Sequence, residues 1–214
     1  MGFTLTELLV TITVVSILAG LAIPTLSRVQ DSSLEVRCAS NLRQIGIAQT
    51  LFSQDNNGDY SYAWYYRNPP SWSNTTAPDG LFQKTWLQRL EPYLRVDQSA
   101  VDDIDSVINC PAIASATGAT SYGLNKELTS SKWMHKGVRI PEPSQIILVA
   151  DKETSSFNEF VVALDKNESA PKVALRHRKA TRANFLFCDG HVECLSPDDT
   201  SWNMPSNQNR WRWW

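Results

Sequence analysis

The apolar residues of this chain are concentrated at its N-terminus. From Phe3 to Ile23 the sequence reads FTLTELLVTITVVSILAGLAI, 21 residues in which Glu7 is the only formal charge. About 20 such residues are needed for a helix that crosses the hydrocarbon core of a bilayer. The pattern therefore predicts a membrane-spanning helix over residues 3–24. The alternative is a secretory signal that is cleaved near Ala22.

After Pro24 the apolar residues keep to one side of a helix. Charged residues such as Arg37 and Arg43 occupy the other side, so the pattern predicts an amphipathic helix over residues 25–54. The Asn57-Gly58 pair supplies turn chemistry that ends this helix. The apolar positions recur at steps of mostly three or four, at Leu26, Val29, Leu34, Cys38, Leu42, Ile45, Ala48, Leu51 and Phe52.

The second half of the chain contains strand-like segments. Residues 144–151 and 160–164 have the composition of strands. Residues 183–195 form two apolar runs around Asp189 and Gly190, the strongest short signal for a two-residue hairpin loop. The prediction is an α+β protein in which a long N-terminal helix, half membrane-spanning and half amphipathic, packs on a small antiparallel sheet.

The remaining sequence divides into a head and a tail. We expect a globular head over residues 55–200, in which Trp86–Leu94 forms a short helix that ends near Pro92. Residues 201–214 form a tail with four of the eight tryptophans. The 20 Lys and Arg residues against 22 Asp and Glu give a net charge of -2, so no nucleic-acid partner is predicted.

The start of the chain carries a more specific signal. The run Gly2-Phe3-Thr4-Leu5-Thr6-Glu7-Leu8-Leu9-Val10 resembles the processing site of type IV prepilins and type II secretion pseudopilins. In that family a prepilin peptidase cuts after the glycine and methylates the new N-terminal phenylalanine. The resemblance implies a residual leader at residues 1–2 and processing between Gly2 and Phe3. It also implies that Glu7 neutralises the N-terminal amine of a neighbouring subunit and sets the axial register of a filament.

Three further segments resemble a subfamily of pilin-like proteins. They are CASNLRQIG at Cys38–Gly46, Cys110-Pro111 followed by Tyr122-Gly123-Leu124-Asn125, and His177 placed before Asp189-Gly190. Eleven residues separate His177 from Asp189, whereas the subfamily has a shorter spacer.

Together these segments imply a structural subunit and not an enzyme. The expected role is that of a pseudopilin or minor pilin in a type II secretion or type IV pilus-like filament. Its expected partners are other pilin-like subunits, the prepilin peptidase and the bacterial inner membrane. The resemblance implies a single-pass protein with its head in the periplasm.

The chain has four cysteines, Cys38, Cys110, Cys188 and Cys194. Their spacing matches none of the paired cysteine arrangements of a structural zinc site. Export of the head would allow disulfides. In an ideal hairpin Cys188 and Cys194 project from opposite faces and cannot be joined, so the preferred pairing is Cys38 with Cys110.

A calcium site is one metal-binding alternative. Asp55, Asn57 and Asp59 alternate like the start of a calcium loop. The third of them is followed by Tyr60 where the loop needs glycine, and no glutamate closes the loop. A plain turn is therefore favoured over calcium, and no other cofactor is expected.

A membrane-tethered hydrolase is another alternative. His177, Asp189 and His191 could converge at the hairpin tip as a metal or hydrolytic site. Asp-Gly at a hairpin loop is, however, selected for turn conformation, and no nucleophile or oxyanion motif accompanies it. Architecture is therefore favoured over catalysis, with His177 serving packing or a hydrogen bond.

The tail suggests a third kind of function. It ends in alternating arginine and tryptophan, with Trp211, Trp213 and Trp214 as candidate ligand contacts. Tryptophan beside arginine can stack on sugars or on another protein. The functional alternative to a filament subunit is thus a membrane-tethered binding module that holds carbohydrate or a secreted cargo. Packing of the rings on the subunit itself is favoured over a ligand site.

Overall fold

The computed structural model describes eight stretches of the chain. These are residues 4–61, 86–96, 105–113, 121–125, 140, 142–152, 160–161 and 173–196. The processing residues Gly2 and Phe3 and the tail residues Trp211, Trp213 and Trp214 lie outside the described residues.

A single helix, α1, runs over Leu5–Asp55 and is 51 residues long. At 1.5 Å per residue this is roughly 75 Å of helix. Its N-cap Thr4 and Glu7 form a capping box, in which the Glu7 N–H donates to the Thr4 hydroxyl and the Thr4 N–H donates to the Glu7 carboxylate at 2.9 Å. At the other end Asn57 and Gly58 have φ angles of 55° and 91°, which turn the chain out of the helix. The predicted long N-terminal helix is confirmed.

The N-terminal half of α1 projects from the head. Leu5–Ile23 is a 19-residue stretch long and apolar enough to cross a membrane, and none of it is buried. In the segment 25–54, which was expected to be amphipathic, the first apolar residues Leu26 and Val29 are 58% and 64% exposed. Regular burial begins at Cys38.

From Cys38 onwards the buried positions of α1 follow one helical face. They are Cys38, Leu42, Ile45, Gly46, Ala48, Gln49 and Phe52. On this face Gly46 lets the sheet approach the helix closely, because a Cβ there would lie only 3.0 Å from the Leu186 Cδ1 atom. A second helix, α2, covers Trp86–Leu94 and packs on α1. It continues beyond Pro92, whose ring lies in the last turn of the helix.

Within the described residues the sheet has five strands, in the order β3-β1-β2-β4-β5. The strands are β1 Tyr122–Asn125, β2 Ile147–Asp151, β3 Phe160–Val161, β4 Ala183–Phe187 and β5 Val192–Leu195. Four of them, β1, β2, β4 and β5, form the predicted antiparallel sheet, and β3 adds a parallel strand at its edge. One face of the sheet packs under α1 and α2 through residues such as Leu124 and Leu186, and the other is buried around Phe185 and Phe187.

The β4–β5 hairpin has a three-residue loop rather than the two-residue loop expected. The Phe187 N–H donates to the His191 carbonyl at 2.9 Å, which leaves Cys188, Asp189 and Gly190 between the strands. Gly190 has a φ of 92° and its N–H donates to the Phe187 carbonyl. This is the arrangement in which a turn is followed by a glycine in the left-handed region. Asp189 and Gly190 remain turn residues, as predicted.

Tyr60 joins the segment after α1 to this hairpin, and we expect Tyr60→Phe to weaken the fold. Its hydroxyl donates to the Cys188 carbonyl at 3.2 Å, so the substitution should lower the free energy of unfolding by about 1 kcal/mol at neutral pH. Burial raises the pKa of Tyr60 from 10.0 to about 12, so the folded state resists its ionisation. Stability should therefore decline as the pH rises from 10 through about 12, less steeply in the variant. Urea unfolding in detergent at a series of pH values measures both effects, and equal slopes would contradict the second.

Candidate functional site

Four buried side chains from distant parts of the sequence converge where α1 meets the sheet. Cys38 comes from α1, Cys110 from the segment 105–113, Asp151 from the end of β2, and His177 from the segment before β4. Their sulfur, nitrogen and carboxylate oxygen atoms all lie within 4.8 Å of one another. These four residues are the group of potential metal ligands found among the described residues, and we call them the buried ligand cluster.

Hydrogen bonds connect the four members of the cluster. The His177 Nε2 atom lies 3.2 Å from the Asp151 Oδ2 atom and 3.7 Å from the Cys110 Sγ atom. The Cys38 thiol donates to the Asp151 Oδ1 atom at 3.4 Å. The Tyr122 hydroxyl lies over Cys38, 3.3 Å from its sulfur. Asp151 and His177 therefore each contact two other members of the cluster.

Backbone structure fixes Asp151 from two sides. It is the last residue of β2 and pairs with Tyr122 of β1. The Asn184 N–H of β4 donates to its Oδ2 atom at 2.8 Å, and the Arg176 guanidinium lies 3.6 Å from its Oδ1 atom. Carboxylates are rarely buried completely unless charged and hydrogen-bonding partners satisfy them, and Asp151 has both.

A tight turn presents His177 to the interior. Arg178, Lys179 and Ala180 have φ angles of 48°, 62° and 60°, so three consecutive residues other than glycine occupy the left-handed region. Each such residue costs roughly 1 kcal/mol. The His177 carbonyl accepts the Thr181 N–H at 3.0 Å, and the Arg178 guanidinium holds both Glu35 carboxylate oxygens at 3.0 Å. These contacts thus stabilise a strained turn, and the turn keeps the His177 imidazole buried.

The charges of the cluster compensate one another. Burial lowers the pKa of His177, but its contacts with Asp151 and Cys110 outweigh this and raise it to about 10. Hydrogen bonds with Cys38 and then His177 lower the pKa of Cys110 to about 6, against the effect of burial. Burial and the contact with Cys110 raise the pKa of Cys38 well above its usual range. The contacts within the cluster therefore favour the charged forms of both Cys110 and His177.

The cluster is closed to substrates. Cys38, Cys110 and Asp151 have no exposed surface and His177 is 2% exposed. A reactive cysteine needs partial exposure as well as a low pKa, and Cys110 is buried too deeply to meet an external substrate. The donor set of two sulfurs, an imidazole nitrogen and a carboxylate oxygen can instead hold a borderline-soft divalent cation.

The predicted pairing of Cys38 with Cys110 concerns two members of this cluster. The structure brings their sulfur atoms within 4.8 Å and contains both as thiols, as it does Cys188 and Cys194. A disulfide has a sulfur–sulfur distance of about 2.05 Å. The pairing therefore stays a prediction.

The other candidate residues lie elsewhere. Asp189 accepts hydrogen bonds from the His191 backbone at 3.1 Å and contacts its ring at 2.6 Å, inside the hairpin turn, whereas His177 belongs to the buried ligand cluster. The expectation that His177 serves a hydrogen bond is confirmed.

The calcium candidates lie at the end of α1. Asp55 is its last residue and accepts the Tyr93 hydroxyl at 2.8 Å. Asn57 occupies the turn with a φ of 55°, and Asp59 donates its N–H to the Asn56 carbonyl at 3.0 Å. These contacts give the three residues a structural role in ending the helix.

Sequence reasoning missed Asp151 as a site residue. Its only signal was a charged residue that directly follows the apolar run Ile146–Ala150. Comparison of the chain with protein-family models, curated proteins and solved structures found no match. The class of site is therefore defined by its geometry, a buried cluster of two cysteines, a histidine and an aspartate between a helix and a sheet.

Proposed function

We propose that this chain is a pseudopilin or minor pilin, a structural subunit of a type II secretion or type IV pilus-like filament. In this proposal a prepilin peptidase cleaves after Gly2, the N-terminal half of α1 first lies in the inner membrane, and the head lies in the periplasm. The chain is then packed into the filament with other pilin-like subunits.

The observation that carries this proposal is the division of α1 into two environments. Its C-terminal part supplies one wall of the head core, whereas its N-terminal part exposes large apolar side chains in every direction. Burying one such side chain contributes about 1.5–3 kcal/mol, so this surface is strongly unfavourable in water. The exposed residues include Leu8, Leu9, Val10, Ile12, Val14, Val15, Ile17, Leu18, Leu21 and Ile23, each at least 50% exposed.

The length of the exposed surface favours a filament over an anchor alone. A bilayer core covers about 20 residues of helix. Apolar exposure continues beyond Ile23 through Leu26, Val29 and Val36, and the last is 63% exposed. In a filament the helices of neighbouring subunits would cover this extension, which lies between the membrane span and the head. A helix that only anchors the head in the membrane does not need exposed apolar residues beyond the membrane span.

Glu7 supports the same proposal from its chemistry. A carboxylate near the end of an apolar helix is costly in lipid and by default points to a functional partner. Among the described residues of one chain its partners are the backbone N–H and hydroxyl of Thr4, at 2.9 and 2.7 Å. Neither carries a positive charge. The amine of a processed neighbouring subunit would supply that charge when the helices pack together.

The mature N-terminus tests the proposal directly. Mass spectrometry of the chain isolated from membranes and from sheared filaments should find methylated Phe3 as the first residue. Cleavage near Ala22 with release of the head would overturn the proposal. A chain that retains its full apolar segment but never appears in the filament fraction would contradict the filament and leave the tethered binding module as the better description.

A further inference from the structure

We propose that the buried ligand cluster binds one zinc ion, which ties α1 to the sheet of the head. The ligands would be the thiolates of Cys38 and Cys110, the Nε2 atom of His177 and one carboxylate oxygen of Asp151. This inference concerns the head alone and does not depend on whether the chain forms a filament.

The distances between the ligand atoms match those around tetrahedral zinc. Bonds of about 2.3 Å to sulfur and 2.0–2.2 Å to nitrogen or oxygen place neighbouring ligand atoms roughly 3.4–3.8 Å apart. The observed separations between ligand atoms are 3.7 Å from Cys110 Sγ to His177 Nε2 and 3.4 Å from Cys38 Sγ to Asp151 Oδ1. The second oxygen of Asp151, Oδ2, lies 3.2 Å from His177 Nε2. All four ligand atoms lie within 4.8 Å of one another. Only small side-chain movements would therefore be needed.

The surroundings hold the ligands as an outer shell of a metal site does. The Asn184 N–H donates to the Asp151 Oδ2 atom at 2.8 Å, which leaves Oδ1 on the side of Cys38. The Tyr122 hydroxyl lies 3.3 Å from the Cys38 sulfur. Such outer hydrogen bonds orient ligands and tune their basicity. The residues that surround the cluster thus already orient Asp151 and Cys38.

Charge balance also favours a divalent cation. Two thiolates and a carboxylate around Zn2+ carry a net charge of −1. The side chain of Arg176 is 11% exposed and lies 3.6 Å from the Asp151 carboxylate, and its positive charge brings the sum to zero. A buried site with no net charge avoids a large desolvation cost. Calcium and magnesium require more oxygen ligands than the one carboxylate here, which makes zinc the better match.

A disulfide between Cys38 and Cys110 is the competing use of the two sulfurs. A disulfide would use only the two cysteines and would give His177 and Asp151 no role. The convergence of His177 and Asp151 on the same point, with a strained turn at Arg178–Ala180 to place the imidazole, is explained by a four-ligand site. We therefore favour the metal.

The test uses the full chain, purified in detergent with reductant and without chelator. Elemental analysis should find about one zinc per chain. After removal of zinc, added Co2+ should give the visible bands of tetrahedral coordination and the near-ultraviolet charge-transfer bands of thiolate ligands, and Zn2+ should displace both. This measurement needs no variant, so it decides the matter even where substituted chains fail to fold.

Variants then assign the ligands. Cys110→Ser should remove most thiolate charge transfer, while Cys194→Ser, at a partly buried thiol outside the cluster, should retain it. Tyr122→Phe keeps every ligand and should weaken zinc binding about 10–100-fold. A reduced wild-type chain that binds neither Co2+ nor Zn2+ would overturn the proposal. So would zinc uptake that is unchanged in Cys110→Ser, or native protein that carries a Cys38–Cys110 disulfide and no metal.

Discussion

Glu7→Gln is expected to abolish incorporation of the chain into filaments while leaving the start of α1 intact. Glutamine at the third helical position completes a capping box as glutamate does, so the contacts with Thr4 can persist. The charge is lost, and with it the proposed attraction to the amine of a neighbouring subunit. Immunoblots of sheared filaments should show a loss of at least tenfold, while the membrane fraction keeps its normal amount of the chain.

Thr4→Ala is the matched control for this prediction. It removes the hydroxyl that accepts the Glu7 N–H, which costs the helix about 1 kcal/mol, and it keeps the carboxylate. If the charge of Glu7 is what filament assembly requires, Thr4→Ala should assemble and Glu7→Gln should not. The opposite ranking would show that the residue acts only as a cap, and it would remove the chemical basis of the filament proposal.

Local patterns predicted the helix and the hairpin of this protein well. The apolar run and the amphipathic spacing that follows it predicted α1, because a helix is specified by residues that are close together in the sequence. The Asp189-Gly190 pair predicted the hairpin, because the signal for a tight turn is also local in the sequence. The loop length could not be predicted, because it depends on the φ of Gly190 and on which residues of β4 and β5 pair. The point at which burial of α1 begins, at Cys38, depends on how the helix packs against the rest of the head.

The buried ligand cluster could not be predicted from local patterns, because its four residues come from distant parts of the sequence. Cys38 and Cys110 were expected to pair, and the structure does bring them together. His177 was compared only with its sequence neighbours Asp189 and His191. Its actual partner is Asp151. Asp151 ends β2, His177 precedes β4, and these two strands pair antiparallel. Strand order sets this contact, and no periodicity in the sequence reports strand order.

Asp151→Ala should cause the largest loss of stability among substitutions in the head. We expect a loss of about 3–5 kcal/mol, because removing one partner of a buried ion pair leaves uncompensated charge. Here the charges left behind are those of His177 and Arg176, and the Asn184 N–H loses its acceptor as well. The prediction concerns the metal-free, reduced chain, so it should be measured by urea unfolding in the presence of chelator and reductant.

Two further variants separate the causes of this loss. Asp151→Asn keeps an acceptor for the Asn184 N–H and removes only the charge, so it should lose less than the alanine variant. Arg37→Ala breaks an ion pair whose two side chains are 52% and 71% exposed, and it should cost at most about 1 kcal/mol. If Asp151→Ala were no more harmful than Arg37→Ala, the carboxylate would not hold the head together in the absence of metal.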